Sequence, residues 1–225
     1  MGRSGTTWMT RALSGRDVFL GVINDRFENI EVRKINDAIF SKYFHVKRGI
    51  LPYGNPKDIE SIKRSMISGD YVDSINNVFK NHIFSALDNK YWIFKDPKTI
   101  LLSGLWLSKV DICVGLIRRP WEVCESYVFH KFISGSRPAS IVEDYWLIFN
   151  KILFEFVTSG QKETYIVDFN GDVESQFKKV VFKLGLERKQ SRYEINQKHI
   201  NKEVSSSVRK ESIILYDKLK EMVIK

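Results

Sequence analysis

Short runs of apolar residues alternate with longer, more polar stretches along most of the chain. The runs are rich in β-branched and aromatic side chains and end in turn-forming or charged residues, a pattern typical of buried strands. The strands predicted in this way cover residues 18–23, 91–94, 112–117 and 164–167. Because predicted helices separate them, the pattern predicts an α/β fold with a parallel β-sheet flanked by helices.

The helices are predicted from apolar side chains at helical spacing and from start and stop signals. They cover residues 6–13, 56–68, 70–87, 99–110, 121–133, 138–159, 173–183 and 208–223. Residues 35–56, which contain Pro52 and Pro56, are predicted to be loop-rich. The 225 residues suffice for a sizeable core, and we expect a single domain over residues 1–225.

The composition restricts the class of ligand and the cellular setting. A hydrophobic content of 43% indicates a globular protein, and a net charge of +9 favours an anionic ligand. Lys and Arg are scattered and no nucleic-acid motif stands out, so no nucleic-acid partner is expected. Cys113 and Cys124 form neither a disulfide framework nor a metal-ligand pattern, and no apolar run approaches the length of a membrane span. We therefore expect a cytoplasmic protein that needs no metal and is not stably inserted in a membrane.

A turn of small residues leads directly into the first predicted helix, in the run Gly2-Arg3-Ser4-Gly5-Thr6-Thr7-Trp8. Glycines let backbone N–H groups converge on one anion at a helix N-terminus, and the threonine hydroxyls and the arginine add donors. A Walker A loop requires Gly-Lys-Ser/Thr, and the lysine is missing here. The run therefore predicts a phosphate-binding loop and argues against an ATPase or GTPase.

A second candidate for phosphate binding follows the clearest predicted strand, residues 112–117. Arg118 stands at its end, and Ser126 stands eight residues later, within the next predicted helix. Arginine offers a planar fork to a phosphate dianion, and Ser126 can donate to the same group if the helix folds back along the strand. The alternative is an ion pair between Arg118 and Glu122 or Glu125 at the helix start.

Together these two stretches resemble the nucleotide-binding motifs of sulfotransferases that use 3′-phosphoadenosine 5′-phosphosulfate (PAPS). Residues 3–8 resemble the 5′-phosphosulfate loop, and Arg118 to Ser126 resembles the 3′-phosphate motif. Lys95-Asp96-Pro97 is similar to a motif at the end of a central strand in bacterial and carbohydrate-directed members. The resemblance implies a P-loop-NTPase-like parallel sheet, the sulfotransferase fold. That fold has a strand before the loop, so the first strand is expected to be missing or shortened.

The resemblance also implies roles for the residues that match these motifs. Arg3 would stabilise the phosphosulfate and its leaving phosphate. The 5′-phosphate would be held by Ser4, Gly5, Thr6 and Thr7. Trp8 would lie against the adenine, Arg118 and Ser126 would hold the 3′-phosphate, and Lys95 would be a second cation at the sulfuryl group.

The general base stays open: two carboxylates are the candidates to test, and His45, His82 and His130 also remain open, although each fits a surface or packing role better. Glu28 is preferred because of its position. It follows predicted strand 18–23, which corresponds to the second strand of the sulfotransferase fold, and the region beyond that strand supplies a catalytic glutamate in several glycan-directed relatives. Asp96 is the second candidate, with a structural role as a helix cap or as a partner of Lys95 as its alternative. The histidine that serves as base in the cytosolic small-molecule branch has no counterpart at this strand end.

The expected activity is transfer of a sulfuryl group from PAPS to a hydroxyl of a glycan or a small-molecule acceptor, without a metal. Three alternatives remain. One is a P-loop-type nucleotide or small-molecule kinase, which the missing Walker lysine disfavours. The others are a basic nucleotide- or RNA-binding module and a sulfotransferase relative that binds nucleotide without turnover.

Overall fold

The computed structural model describes residues 4–14, 16–44, 71–85, 89–129, 139–186 and 208–224. Its helices are α1 (Thr6–Leu13), α2 (Ile30–Phe44), α3 (Val72–Ser85), α4 (Ser103–Trp106), α5 (Pro120–Phe129), α6 (Ala139–Ser159), α7 (Val173–Lys183) and α8 (Lys210–Glu221). Its strands are β1 (Val18–Phe19), β2 (Tyr91–Trp92), β3 (Ile112–Ile117) and β4 (Glu163–Asp168). Short 3-10 helices, Pro97–Leu102 and Leu107–Lys109, flank α4. The helix predicted over residues 56–68 lies outside the described residues.

The chain divides into two compact units. The first unit takes in the described parts of Met1–Met9, Asp111–Gly185 and Arg192–Lys225, and the second takes in those of Thr10–Val110 and Leu186–Ser191. Each unit contains one pair of parallel strands, β3–β4 in the first and β1–β2 in the second. The single domain expected over residues 1–225 stays a prediction.

The first unit is built on the parallel pair β3–β4. Its register runs from Ile112 beside Glu163 to Ile117 beside Asp168, so both strands end at the same level. The backbone N–H of Phe169 donates to the carbonyl of Ile117 at 2.9 Å and continues the pairing by one residue. Whatever follows β3 and β4 in the sequence therefore emerges side by side at one edge.

Helix α6 covers β3 at a glycine. A Cβ on Gly115 would lie 2.9 Å from Leu153 Cδ1 of α6 and 2.8 Å from Ile166 Cδ1 of β4. Any larger residue would therefore require the ends of these two side chains to shift. The core of the first unit consists of fully or nearly fully buried apolar side chains, which include Trp146, Phe149, Val123, Val167, Val180 and Leu219.

The second unit is built on the shorter pair β1–β2, in which Val18 lies beside Tyr91 and Phe19 beside Trp92. The N–H of Ile93 donates to the carbonyl of Phe19 at 2.8 Å, which extends the pairing by one bond. Next to it lies a cluster of aromatic rings with centroids 4.7 to 6.2 Å apart. The cluster consists of Phe79, Trp92, Phe94 and Trp106.

The α/β class and the parallel strand pairing are confirmed. Helices 6–13 and 173–183 and strand 112–117 have the predicted bounds, whereas β1 and β2 are two residues long and shorter than predicted. Residues 97–109 fold as 3-10, α and 3-10 segments instead of one helix. The described strands form two separate two-stranded sheets.

Residues 35–44 belong to helix α2, so the prediction of a loop-rich stretch from residue 35 was wrong there. Asn29 precedes this helix, and its Oδ1 accepts the N–H groups of Glu31 at 3.1 Å and Val32 at 3.0 Å, as an N-cap does. Val32, Ile39 and Phe40 are buried at helical spacing. Charged residues between these positions obscure the apolar stripe in the sequence.

The start of α7 offers a direct test of the local structure. Asp172 Oδ1 accepts the N–H of Ser175 at 3.0 Å, which satisfies one donor of the first helical turn. We expect Asp172→Ala to lower the free energy of unfolding by about 1 kcal/mol, measured by urea denaturation. Asp172→Asn keeps the side-chain acceptor, so its free energy of unfolding should fall by less than that of Asp172→Ala. Equal losses in the two variants would show that the cap bond does not stabilise the helix.

Candidate functional site

The predicted phosphate loop belongs to the first unit and leads directly into α1. Ser4 is buried, and the carbonyl of Gly5 accepts the N–H of Met9 at 3.0 Å, so the helix begins directly after the loop. Gly5 has φ of 90°, in the region that favours glycine. The start of an α-helix attracts anions through its N–H groups and its dipole. Arg3 lies outside the described residues.

Phe169, the first residue after β4, packs directly against this loop. A Cβ on Gly5 would overlap its ring, with Cε2 and Cγ only 2.5 and 2.8 Å away. The ring also lies edge-on to Trp8, with the centroids 6.1 Å apart. Its centroid is 5.9 Å from the guanidinium carbon of Arg118. One aromatic ring therefore touches both stretches that the sequence singles out for phosphate binding.

Trp8 is the residue that the resemblance places against the adenine. Its ring packs edge-on against Phe177 of α7 as well as against Phe169, with a centroid distance of 5.5 Å to Phe177. Its Nε1 is buried without a hydrogen-bond partner among the described residues. The contact with adenine stays a prediction.

Arg118 lies at the end of β3, where the sequence places it, and its side chain is only 10% exposed. Its Nε and Nη2 both approach Glu122 Oε2, at 3.0 and 2.9 Å. Its backbone carbonyl accepts the Nε1–H of Trp146 at 3.0 Å. The ion pair with Glu122, which was the alternative for this arginine, is confirmed. The role of Arg118 in binding a 3′-phosphate stays a prediction. The same holds for Ser126, which is half-buried on α5.

Sequence reasoning missed the polar network that joins the ends of β3 and β4. Asn170 Nδ2 donates to Glu122 Oε1 at 2.7 Å, and Asn170 Oδ1 accepts the backbone N–H of Arg119 at 2.8 Å. Asn170 in turn is held by Asp168, whose Oδ1 accepts its N–H at 2.9 Å. The turn composition of Asp-Phe-Asn-Gly-Asp after strand 164–167 was the available signal.

The C-terminal helix is tied to the same strand end. The hydroxyl of Tyr216 on α8 donates to Asp168 Oδ2 at 2.8 Å, and both residues are buried. Burial, together with the neighbouring Asp168 carboxylate, raises the pKa of Tyr216 well above its usual range. Tyr216 therefore remains protonated and keeps its donor role across the physiological pH range.

In the second unit, the structure brings together two of the predicted catalytic residues. Lys95 Nζ lies 3.3 Å from Glu28 Oε1 and donates to the carbonyl of Arg26 at 3.1 Å. The side chains of Lys95 and Glu28 are only 10% and 11% exposed. Burial lowers the pKa of Lys95, and the negative charge of Glu28 acts against that effect. The pair thus places a buried amine next to a buried carboxylate.

The turn before α2 fixes the carboxylate of Glu28. Asn24 Oδ1 accepts the N–H of Glu28 at 3.0 Å, and Asn24 Nδ2 donates to Glu28 Oε2 at 3.1 Å. Arg33 Nη1 reaches the same oxygen at 3.1 Å. Within the turn, Phe27 has φ of 56°, a left-handed conformation that is strained for a bulky residue, and Arg11 lies 4.9 Å from its ring centroid.

Asp96 has a structural role that accounts for both of its oxygens. Its Oδ1 accepts the N–H of Lys98 at 3.0 Å and caps the 3-10 helix that follows, and its Oδ2 accepts from Asn36 Nδ2 at 2.9 Å. Burial raises the pKa of Asp96, while the charge of Lys98 and the bond from Asn36 partly offset that rise. The capping alternative is confirmed. Glu28 is the one of the two candidate bases that pairs with Lys95.

The described residues also bear on metal ligands, membrane-spanning helices and reactive thiols. No group of three or more His, Cys, Asp or Glu among them could hold a metal ion. Within the same ranges, no helix has the length and apolar character needed to cross a bilayer. Burial raises the pKa of Cys113 to about 11 and that of Cys124 to about 12. Both are free thiols that stay protonated at neutral pH.

Comparison of the chain with protein-family models, with curated proteins and with solved structures finds no match.

The contact between Gly5 and Phe169 gives the first prediction for the site. Gly5→Ala places a methyl group inside the ring and forces alanine into a left-handed conformation. We expect the free energy of unfolding to fall by about 2 kcal/mol or more, measured by urea denaturation. Gly160→Ala is the matched control, because φ there is 64° but nothing lies within 4 Å of the added Cβ. Equal losses would contradict the packing role of Phe169.

The second prediction concerns Asp96 and pH. Because its pKa is raised above the ordinary 3.8, the folded protein binds this proton at a higher pH than the unfolded chain does. Asp96 thus contributes stability at low pH, and that contribution is lost as the pH rises through the raised pKa. We expect the unfolding free energy of the wild type, minus that of Asp96→Asn, to increase from about pH 7 to about pH 4. Urea denaturation at several pH values measures it, and a constant difference would contradict the raised pKa.

Proposed function

We propose that this protein is a PAPS-dependent sulfotransferase that transfers a sulfuryl group to a hydroxyl of a glycan or a small molecule. The observation that carries the proposal is the position of Phe169, which packs on Gly5 of the phosphate loop and beside the guanidinium of Arg118. The two stretches that resemble the sulfotransferase motifs thus share one aromatic contact. They are 110 positions or more apart in sequence, so local sequence does not dictate their meeting.

The chemistry of the donor explains why two such elements are needed. PAPS carries a phosphosulfate at the 5′ position and a separate phosphate at the 3′ position of one ribose. The helix start after Gly5 suits the first group, and a guanidinium at the end of β3 suits the second. The proposal includes the fold: a P-loop-NTPase-like parallel sheet in which a strand leads into the phosphate loop.

Sulfuryl transfer breaks the bond between sulfur and the bridging phosphate oxygen and forms a bond between sulfur and the acceptor oxygen. The acceptor proton passes to a base, and adenosine 3′,5′-bisphosphate leaves. We assign Arg3 to the charge on the leaving phosphate, Lys95 to the sulfuryl group and Glu28 to the acceptor proton. The fixed orientation of Glu28, with Lys95 at 3.3 Å, supports that assignment.

Glu28 is preferred to Asp96 because it is the carboxylate that pairs with Lys95, while the oxygens of both carboxylates accept hydrogen bonds. Asp96 is engaged by a helix cap on one oxygen and by Asn36 on the other. Glu28 Oε1 faces a buried lysine whose pKa is lowered by burial, a combination frequent at functional sites. A hydroxyl acceptor, a cytoplasmic location and independence of metals and nucleic acids complete the proposal.

The test is calorimetric titration of the full chain with adenosine 3′,5′-bisphosphate, beside 5′-AMP and ATP. We expect the bisphosphate to bind at least about tenfold more tightly than 5′-AMP, because it adds a charge-assisted contact to Arg118. Arg118→Lys keeps the charge but loses the fork, and should remove most of this preference.

Lys178→Met is the matched control. It removes one positive charge from the same unit, on the exposed face of α7 where Lys178 pairs with Glu174 at 2.8 Å. We expect Lys178→Met to change the preference for the bisphosphate over 5′-AMP only slightly. Binding of ATP as tight as that of the bisphosphate would overturn the proposal in favour of a kinase. Selective bisphosphate binding without sulfuryl transfer to any hydroxyl would favour the non-catalytic relative.

A further inference from the structure

A single buried carboxylate serves two adjacent arginines at the end of β3. The side chain of Glu122 is 2% exposed. Its Oε2 takes Nε and Nη2 of Arg118, at 3.0 and 2.9 Å, and its Oε1 lies 3.5 Å from Nη1 of Arg119. Each oxygen thus faces a different arginine.

Glu122 itself is fixed from two further directions. It belongs to the first turn of α5, which begins at Pro120, and a negative charge is stabilised at that end of a helix. Asn170, from the turn after β4, donates to its Oε1 at 2.7 Å and also accepts the backbone N–H of Arg119 at 2.8 Å. Three segments of the first unit therefore converge on one carboxylate.

The consequence is a fixed plane for the Arg118 guanidinium. Two of its nitrogens are tied to one oxygen, and the ring of Phe169 lies 5.9 Å from its central carbon. Arginine loses much rotamer freedom when it binds an anion, and prior fixation reduces that loss.

We propose that Glu122 is a positioning residue that orients Arg118 for the 3′-phosphate of the nucleotide and thereby sets the preference for 3′-phosphorylated ligands. This inference rests on the proposed function. It adds a residue that no motif resemblance indicates, and it gives the Arg118–Glu122 pair a role in ligand selection as well as in the fold.

The test is the ratio of the dissociation constants of 5′-AMP and adenosine 3′,5′-bisphosphate, measured by calorimetry on the full chain. Glu122→Gln keeps the shape but cannot accept from both arginines and Asn170 at once. We expect this ratio to fall about tenfold, while the affinity for 5′-AMP stays within about twofold of the wild type. Glu174→Gln, at an exposed position of α7, is the matched control and should leave the ratio unchanged.

Asn170→Ala is the second variant, and it carries the test if Glu122→Gln does not fold. It removes the bond to Glu122 Oε1 but leaves the contacts of Arg118 with Oε2 in place, so we expect a smaller fall in the ratio. Thermal denaturation identifies a variant that does not fold.

Three outcomes would overturn the inference. Equal weakening of both nucleotides would mean that Glu122 only supports the fold, and a rise in the ratio would mean that it competes with the phosphate for Arg118. A wild-type protein without any preference for the 3′-phosphate would overturn the proposed function, and the inference with it. The wild-type measurement therefore separates the two failures.

Discussion

The register of β3 against β4 is the constraint on which the nucleotide-binding half of the proposal depends. Because Ile117 lies beside Asp168, the residues that follow each strand emerge at the same edge. Arg118 and Phe169 thereby come within cation–π distance of each other. A shift of this register by one residue would turn every side chain of β4 to the opposite face and separate Phe169 from Gly5.

Buried charge raises a different problem in the second unit. A lysine and a carboxylate removed from water cost free energy unless they are paired and hydrogen-bonded. Glu28 meets that condition through Lys95, Arg33 and Asn24, and the turn that presents it holds Phe27 in a strained conformation. Such strain persists only where the surrounding contacts over-determine the backbone, and it is concentrated at functional sites.

Sequence alone predicted the features that local signals specify. The Gly5 turn leads into α1, and the apolar run 112–117 delimits β3. Helix α2 was missed because its buried positions are separated by charged residues. The contacts of Phe169 with Gly5 and of Asn170 with Glu122 could not be predicted, since they join residues about fifty or more positions apart that only the strand register brings together.

The ion pair of Arg118 bears on the function more than its burial suggests. A salt bridge buried to this extent adds little net stability over an apolar pair, because desolvation offsets most of the attraction. A purely structural reason for a buried arginine at a strand end is therefore weak. An arginine carries donors on three nitrogens, so a carboxylate that fixes its plane and an anion that it recognises are compatible on one guanidinium. We therefore interpret Glu122 as the group that orients the Arg118 guanidinium, and not as a replacement for the phosphate that Arg118 would bind.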